Sequence, residues 1–139
     1  MNQIVIHTDG ASRGNPGAAA IAYVIEGLES GKIEFAQTIG VTTNNQAEYQ
    51  ALRQALTKLS EINIKESNIE CFADSELMIK QIRGEYRVKD NLLRPHYQEI
   101  LSLVGKLTEA GNSFKFTAVR RSENKRADEL GNMALDGQP

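Results

Sequence analysis

Four acidic residues sit where the character of the chain changes. Asp9 closes a hydrophobic run just before Gly10, Glu48 lies in the opening turns of a helical pattern, Asp74 follows an apolar alternating segment, and Asp128 lies early in the last helical stretch. If folding brings them together, their mutual repulsion calls for a cation, because clustered carboxylates are otherwise driven to bind protons. Hard oxygen ligands with no histidine or cysteine cluster select Mg²⁺ or Mn²⁺ over Zn²⁺. Two such ions about 4 Å apart activate a water, bind a scissile phosphate and stabilise the leaving 3′ oxygen. That chemistry is phosphodiester hydrolysis. The chain carries 18 acids, and an Asp after a strand is commonly a turn residue, so the carboxylates need support from their neighbours.

The elements that must position these acids follow from hydrophobic period. Residues 3–9 alternate as a strand, with Asp9 on the face of Val5 and His7, and the Gly- and Pro-rich stretch 12–17 is expected to break it. Residues 18–25 and 33–39 give two more strands joined near Gly27 to Gly31; Ile33, Phe35, Gln37 and Ile39 share one face of the second. From Asn45 to Ser60 the period becomes helical, with Ala47, Ala51, Leu52, Ala55, Leu56 and Leu59 as the apolar stripe and Thr43 or Asn44 as the cap. Residues 68–73 form a fourth strand, followed by a short helix from near Ser75. A longer helix takes in Leu92, Leu93, Ile100, Leu101, Val104 and Leu107 and ends at Gly111. Residues 113–119 form a fifth strand, and 124–135 a last helix. The order βββαβααβα implies an α/β fold, a five-stranded mixed sheet flanked by helices, within one domain over residues 1–137. The last residues, 136–139, read as a tail.

Bulk composition narrows the setting. A chain of 139 residues fits one domain, and 40 % hydrophobic with 24 % charged residues is ordinary for a globular protein. Cys71 is alone, so no internal disulfide forms, and the first residues lack a secretory pattern. A cytoplasmic protein is expected, without a membrane span. A net charge of −2 excludes a generally basic nucleic-acid binder, so any grip on nucleic acid must come from local patches or bound ions.

The neighbours of the four acids are specific. They read DGASRGNPG from Asp9 to Gly17, TTNNQAEY from Thr42 to Tyr49, ADS from Ala73 to Ser75, and RSENKRADEL from Arg121 to Leu130. In all four segments, in order and over nearly the whole chain, the sequence resembles the type 1 ribonucleases H. The resemblance implies that Asp9, Glu48, Asp74 and Asp128 hold two Mg²⁺ ions, Asp9 and Asp74 most centrally. It also implies cleavage of the RNA strand of RNA–DNA hybrids, leaving 5′-phosphate and 3′-hydroxyl ends. Asn15, Asn44 and Asn45 are then expected against the minor groove of the hybrid, and Thr43 on a backbone phosphate. The assignment has a physical basis, since recognising RNA requires a 2′-hydroxyl contact and an Asn amide both donates and accepts hydrogen bonds.

The chain departs from the family in two places. Many members carry a histidine between the fifth strand and the last helix; residues 119–127 contain none, leaving Arg121 or Glu123 as substitutes. His7, inside a strand, and His96, after Pro95, are expected to be structural. Some relatives carry a basic, aromatic protrusion after the third acid. Residues 83–94 (RGEYRVKDNLLR) are too short for it and read as a solvated connection, and with the catalytic strand at the start of the sequence no added hybrid-binding domain is expected. These absences match a minimal subgroup, some of whose members also accept double-stranded RNA. A weak hybrid grip and a monomer are expected. Two other readings compete: a nuclease of the same fold acting on other DNA structures, disfavoured by Asn44 and Asn45, and a hybrid-binding module without activity, disfavoured by the retention of all four acids.

Overall fold

The computed structural model describes residues 2–137; Met1 and the final two residues of the expected tail, Gln138 and Pro139, lie outside this range. Five strands form one sheet in the order β3-β2-β1-β4-β5. These are β1 (Asn2–Gly14), β2 (Gly17–Glu26), β3 (Ile33–Thr42), β4 (Ser67–Ala73) and β5 (Ser113–Ala118). The first three are antiparallel neighbours, whereas β4 runs parallel to both β1 and β5. The helices are α1 (Asn44–Glu61), α2 (Glu76–Ile82), α3 (Arg94–Glu109) and α4 (Lys125–Leu135), with a 3₁₀ turn at Arg121–Glu123. No described helix is long and apolar enough to cross a membrane.

Alternation in the strands and the helical stripe of α1 build the core. Ile4 and Ile6 of β1, Ile69 and Cys71 of β4, and Leu52, Leu56 and Leu59 of α1 form one buried cluster that also takes in Ile100 and Leu107 of α3. On the other face α4 approaches β2 closely because both surfaces are small: Ala22 and Ala127 are fully buried, and a Cβ on Gly131 would stand 4.0 Å from that of Ala22. Every residue of the expected α1 stripe is buried.

Several details differ from the sequence reading, among them the end of β3, which runs on past residue 39 to Thr42. First, β1 does not end at Asp9. It loses its partner β4 beyond Thr8↔Ala73, but pairing with β2 continues to Gly14↔Gly17, so Asp9 is mid-strand at the point where one neighbour stops. The turn shrinks to Asn15 and Pro16, with Gly14 at φ +106°, a conformation that favours glycine. Second, α3 begins at Arg94, not at Leu92. A turn at Asp90 holds the preceding segment, with its Oδ1 accepting from the Leu92 amide at 2.7 Å, and Pro95 occupies the first helical turn. Leu93 is buried there, but Leu92 and Leu101 are exposed. Third, a bulge between Ala19 and Ala20 displaces Ile39 from the ladder, and Gln37 is exposed although Ile33 and Phe35 pack on the core. Fourth, β5 stops at Ala118, where the Val119 amide bonds back to Ala73 O at 2.9 Å.

Candidate active site

Where β4 ends, the backbone of β1 runs on with one edge uncovered. Backbone groups alternate edges along a strand, so those of Gly10 and Ser12 share an edge. Side chains from α1 take the place of the missing strand. The Gly10 amide donates to Glu48 Oε1, and the Ser12 amide donates to Asn44 Oδ1 at 2.9 Å. The first contact requires glycine, because a Cβ at Gly10 would collide with the Ala47 carbonyl and the Glu48 amide. Close approach of α1 to β1 thus brings a carboxylate from a helix beside one from a strand.

Asp74 completes the group from the end of β4. Asp9, Glu48 and Asp74 each offer an oxygen such that all three lie within 4.8 Å of one another. Asp9 and Glu48 are 6 % and 7 % exposed. Burial, then the charges of Asp74 and Asp128, pushes the Asp9 carboxyl up to about 7. Burial likewise holds Glu48 well above its ordinary value, with Asp9 and Asp74 adding to it. These groups are short of positive charge. Asp128 approaches Asp9 from α4 but lies outside the three-carboxylate group; its Oδ1 pairs with Arg121 Nη2 at 3.0 Å. The donor set, all carboxylate oxygen and partly desolvated, fits a hard divalent cation and offers nothing to a soft one.

An open cavity of about 420 Å³ joins Asp9, Glu48 and Asp74 to Asn44, Asn45, Ser75 and Arg121. Thr43 caps α1: its Oγ1 accepts from the Gln46 amide at 3.2 Å, so of the two expected caps it, and not Asn44, fills the role. Asn44 instead ties the helix start to the hairpin, its amide donating to Asn15 Oδ1 at 3.0 Å. The Oδ1 atoms of Asn15 and Asn44 are thereby used, whereas their Nδ2 groups and the side chain of exposed Asn45 make no bond among the described residues. Neither histidine reaches the site. His7 stacks on Phe72 with centroids 5.1 Å apart, and His96 Nδ1 lies 3.1 Å from Arg53 Nη1. Of the two candidates near the last helix, Arg121 lines the cavity, while Glu123 accepts from the Arg120 amide at 3.3 Å within its own turn. Sequence reading missed the requirement for Gly10 and the bracing by Ser12; a glycine directly after the first acid was the available signal.

A five-stranded mixed sheet with acids gathered where β1 outruns β4 defines an α/β fold with a carboxylate site at a strand end. The chain belongs to the RNase H family, whose sequence pattern matches residues 1–135. It is 40 % identical over 129 residues to ribonuclease HI of Halobacterium salinarum, covering 92 % of this chain and 62 % of that protein's length. The crystal structure of RNase H1 from that archaeon superposes with a TM-score of 0.85, covering 97 % of this chain and 98 % of the other at 40 % identity. LC11-RNase H1, solved in complex with an RNA/DNA hybrid, gives a TM-score of 0.88 at 37 % identity, with 96 % and 97 % covered.

Proposed function

We propose that the protein is an endoribonuclease that hydrolyses the RNA strand of RNA–DNA hybrids, leaving 5′-phosphate and 3′-hydroxyl ends. The catalytic unit is residues 1–137. The observation that carries this reading is the convergence of Asp9, Glu48 and Asp74 in the same open cavity as Asn44 and Asn45. Family membership and the hybrid bound to LC11-RNase H1 support the substrate.

Asp9, Glu48, Asp74 and Asp128 would hold two divalent cations, Mg²⁺ or Mn²⁺. When bound, these supply Lewis acidity at the phosphate and offset the developing charge. The chain's own residues do the rest. Gly10 fixes the Glu48 carboxylate through its amide, and the hairpin carrying Asn15 is braced on the start of α1. The free Nδ2 donors of Asn15 and Asn44 and the unpaired amide of Asn45 face the chemistry of a 2′-hydroxyl, which accepts and donates. Thr43, which caps α1, would meet a backbone phosphate at the start of that helix. Arg121 lines the cavity and pairs with Asp128 at 3.0 Å.

Labelled hybrid, duplex DNA and duplex RNA, each with Mg²⁺, Mn²⁺ or EDTA, test the proposal. Cleavage of the hybrid's RNA strand that EDTA abolishes supports it, and added cleavage of duplex RNA extends it to that substrate. Cleavage of DNA, or hybrid binding without cleavage, overturns it.

A further inference from the structure

Two backbone groups on the uncovered edge of β1 are met by α1, but a third is met from elsewhere. The Thr8 carbonyl, on the same edge as the Gly10 and Ser12 amides and directly before Asp9, accepts from Asn124 Nδ2 at 2.8 Å across 116 positions of sequence. Asn124 is 1 % exposed, and its Oδ1 has no hydrogen-bond partner among the described residues. It occupies the N-cap of α4 yet makes no side-chain cap, although asparagine is among the best capping residues. Its amide is diverted to β1, while its own carbonyl accepts from the Asp128 amide at 3.1 Å. One residue therefore joins the peptide before Asp9 to the backbone of Asp128. A buried, half-satisfied amide is a poor device for stability alone, because its orphan oxygen carries an uncompensated desolvation cost.

The other anchors of α4 lead to groups other than Asp9, and Arg121 of the preceding turn holds the Asp128 carboxylate itself at 3.0 Å. Arg126 pairs with Glu34 of β3 at 2.6 Å, and Asp136, just past the helix, pairs with Arg13 at 2.7 Å. Neither refers the first turn of α4 to Asp9. We propose that Asn124 is a positioning residue that fixes Asp128 relative to Asp9 and so sets the affinity of the carboxylate group for divalent cations. The proposal rests on the cation-dependent reading of the site. Outer groups that orient ligands in this way commonly contribute 10–100-fold in metal affinity.

The test measures Mn²⁺ binding without substrate, by electron paramagnetic resonance of the free ion, on wild type, N124A, N124D, D128N and N124A/D128N. Thermal midpoints in EDTA are read in parallel. N124D keeps the shape and can cap α4 but cannot donate to Thr8 O, so it separates the bridging bond from mere folding. The expected result is Mn²⁺ binding weakened about tenfold or more in both N124A and N124D, even where N124D melts no lower than wild type. In the D128N background the further change at Asn124 should have no effect. Binding in N124A and N124D within about twofold of wild type, well inside that range, overturns the proposal alone, whatever the melting points do. A wild type that binds no Mn²⁺ overturns the functional reading as well.

Discussion

The two ends of β4 each bury polar groups, and they are finished differently. At its start, Asn112 is 4 % exposed and engaged on both sides of its amide. Its Oδ1 accepts from the Ser67 amide at 3.0 Å, and its Nδ2 donates to Ile64 O and Leu107 O at 2.9 and 2.8 Å. At the far end, Asp9, Glu48 and Asp74 stand within 4.8 Å of one another with the Gly10 amide bonded to Glu48. The first cluster is completed by the chain itself and tightens the junction of α3, β4 and β5. The second is left short of positive charge: Asp74 and Asp128 raise the proton affinity of Asp9, and Asp9 and Asp74 raise that of Glu48. A polar group the protein satisfies is structural, whereas one it leaves short of charge awaits a ligand.

The contrast breaks most sharply at Asp9. Asp9→Asn should lower hybrid cleavage roughly a thousandfold or more while leaving the fold intact, since it removes one of several repelling charges. Turnover assays and a melting curve on the same sample check this, and unfolding of the variant would contradict it. Gly10→Ala sits between the two regimes. The added methyl forces α1 away from β1, so stability should fall by about 1–3 kcal/mol and cleavage should fall with it. Asn112→Ala should do the reverse of Asp9→Asn. It orphans the Ser67 amide, and chemical denaturation should show a loss of about 1–3 kcal/mol, with kcat per folded molecule unchanged.

A pH dependence sharpens the same comparison. The Asp9 carboxyl titrates near 3.8 when unfolded and about 7 when folded, so between these values the native state binds the extra proton. Stability of the cation-free protein should therefore be greatest below about pH 4 for this group and decline as pH rises toward 7, with Glu48 acting in the same direction. Melting curves from pH 4 to 8 in EDTA should show the decline, and Mg²⁺ should flatten it. The smallest effect concerns the substrate grip: with only four basic residues against two acidic in the short segment 83–94, the log–log salt slope of hybrid binding should be no steeper than about −6.

Much of this was legible in the sequence because period and motif are local. The α1 stripe follows from spacing alone, and the four acids stand out by the segments around them. What escaped is held by distant partners. The Ser-Arg-Gly run at 12–14 reads as turn, yet stays in β1 because β2 and Asn44 complete its hydrogen bonds. Asn124 reads only as the first residue of the last helix, because its partner, Thr8, lies at the opposite end of the chain. Leu93 fits the α3 period but is buried from the turn ahead of the helix, and only Pro95 signalled the later start.

The central claim, that the carboxylate end of β4 is completed by a divalent cation, is tested most directly by melting the protein in EDTA and in millimolar Mg²⁺. Ligand binding to the folded state alone must raise the midpoint. Wild type should gain several degrees, roughly what 1–2 kcal/mol of binding free energy gives a domain of this size, while Asp9→Asn gains little. No gain in wild type, or an equal gain in both proteins, would contradict the account.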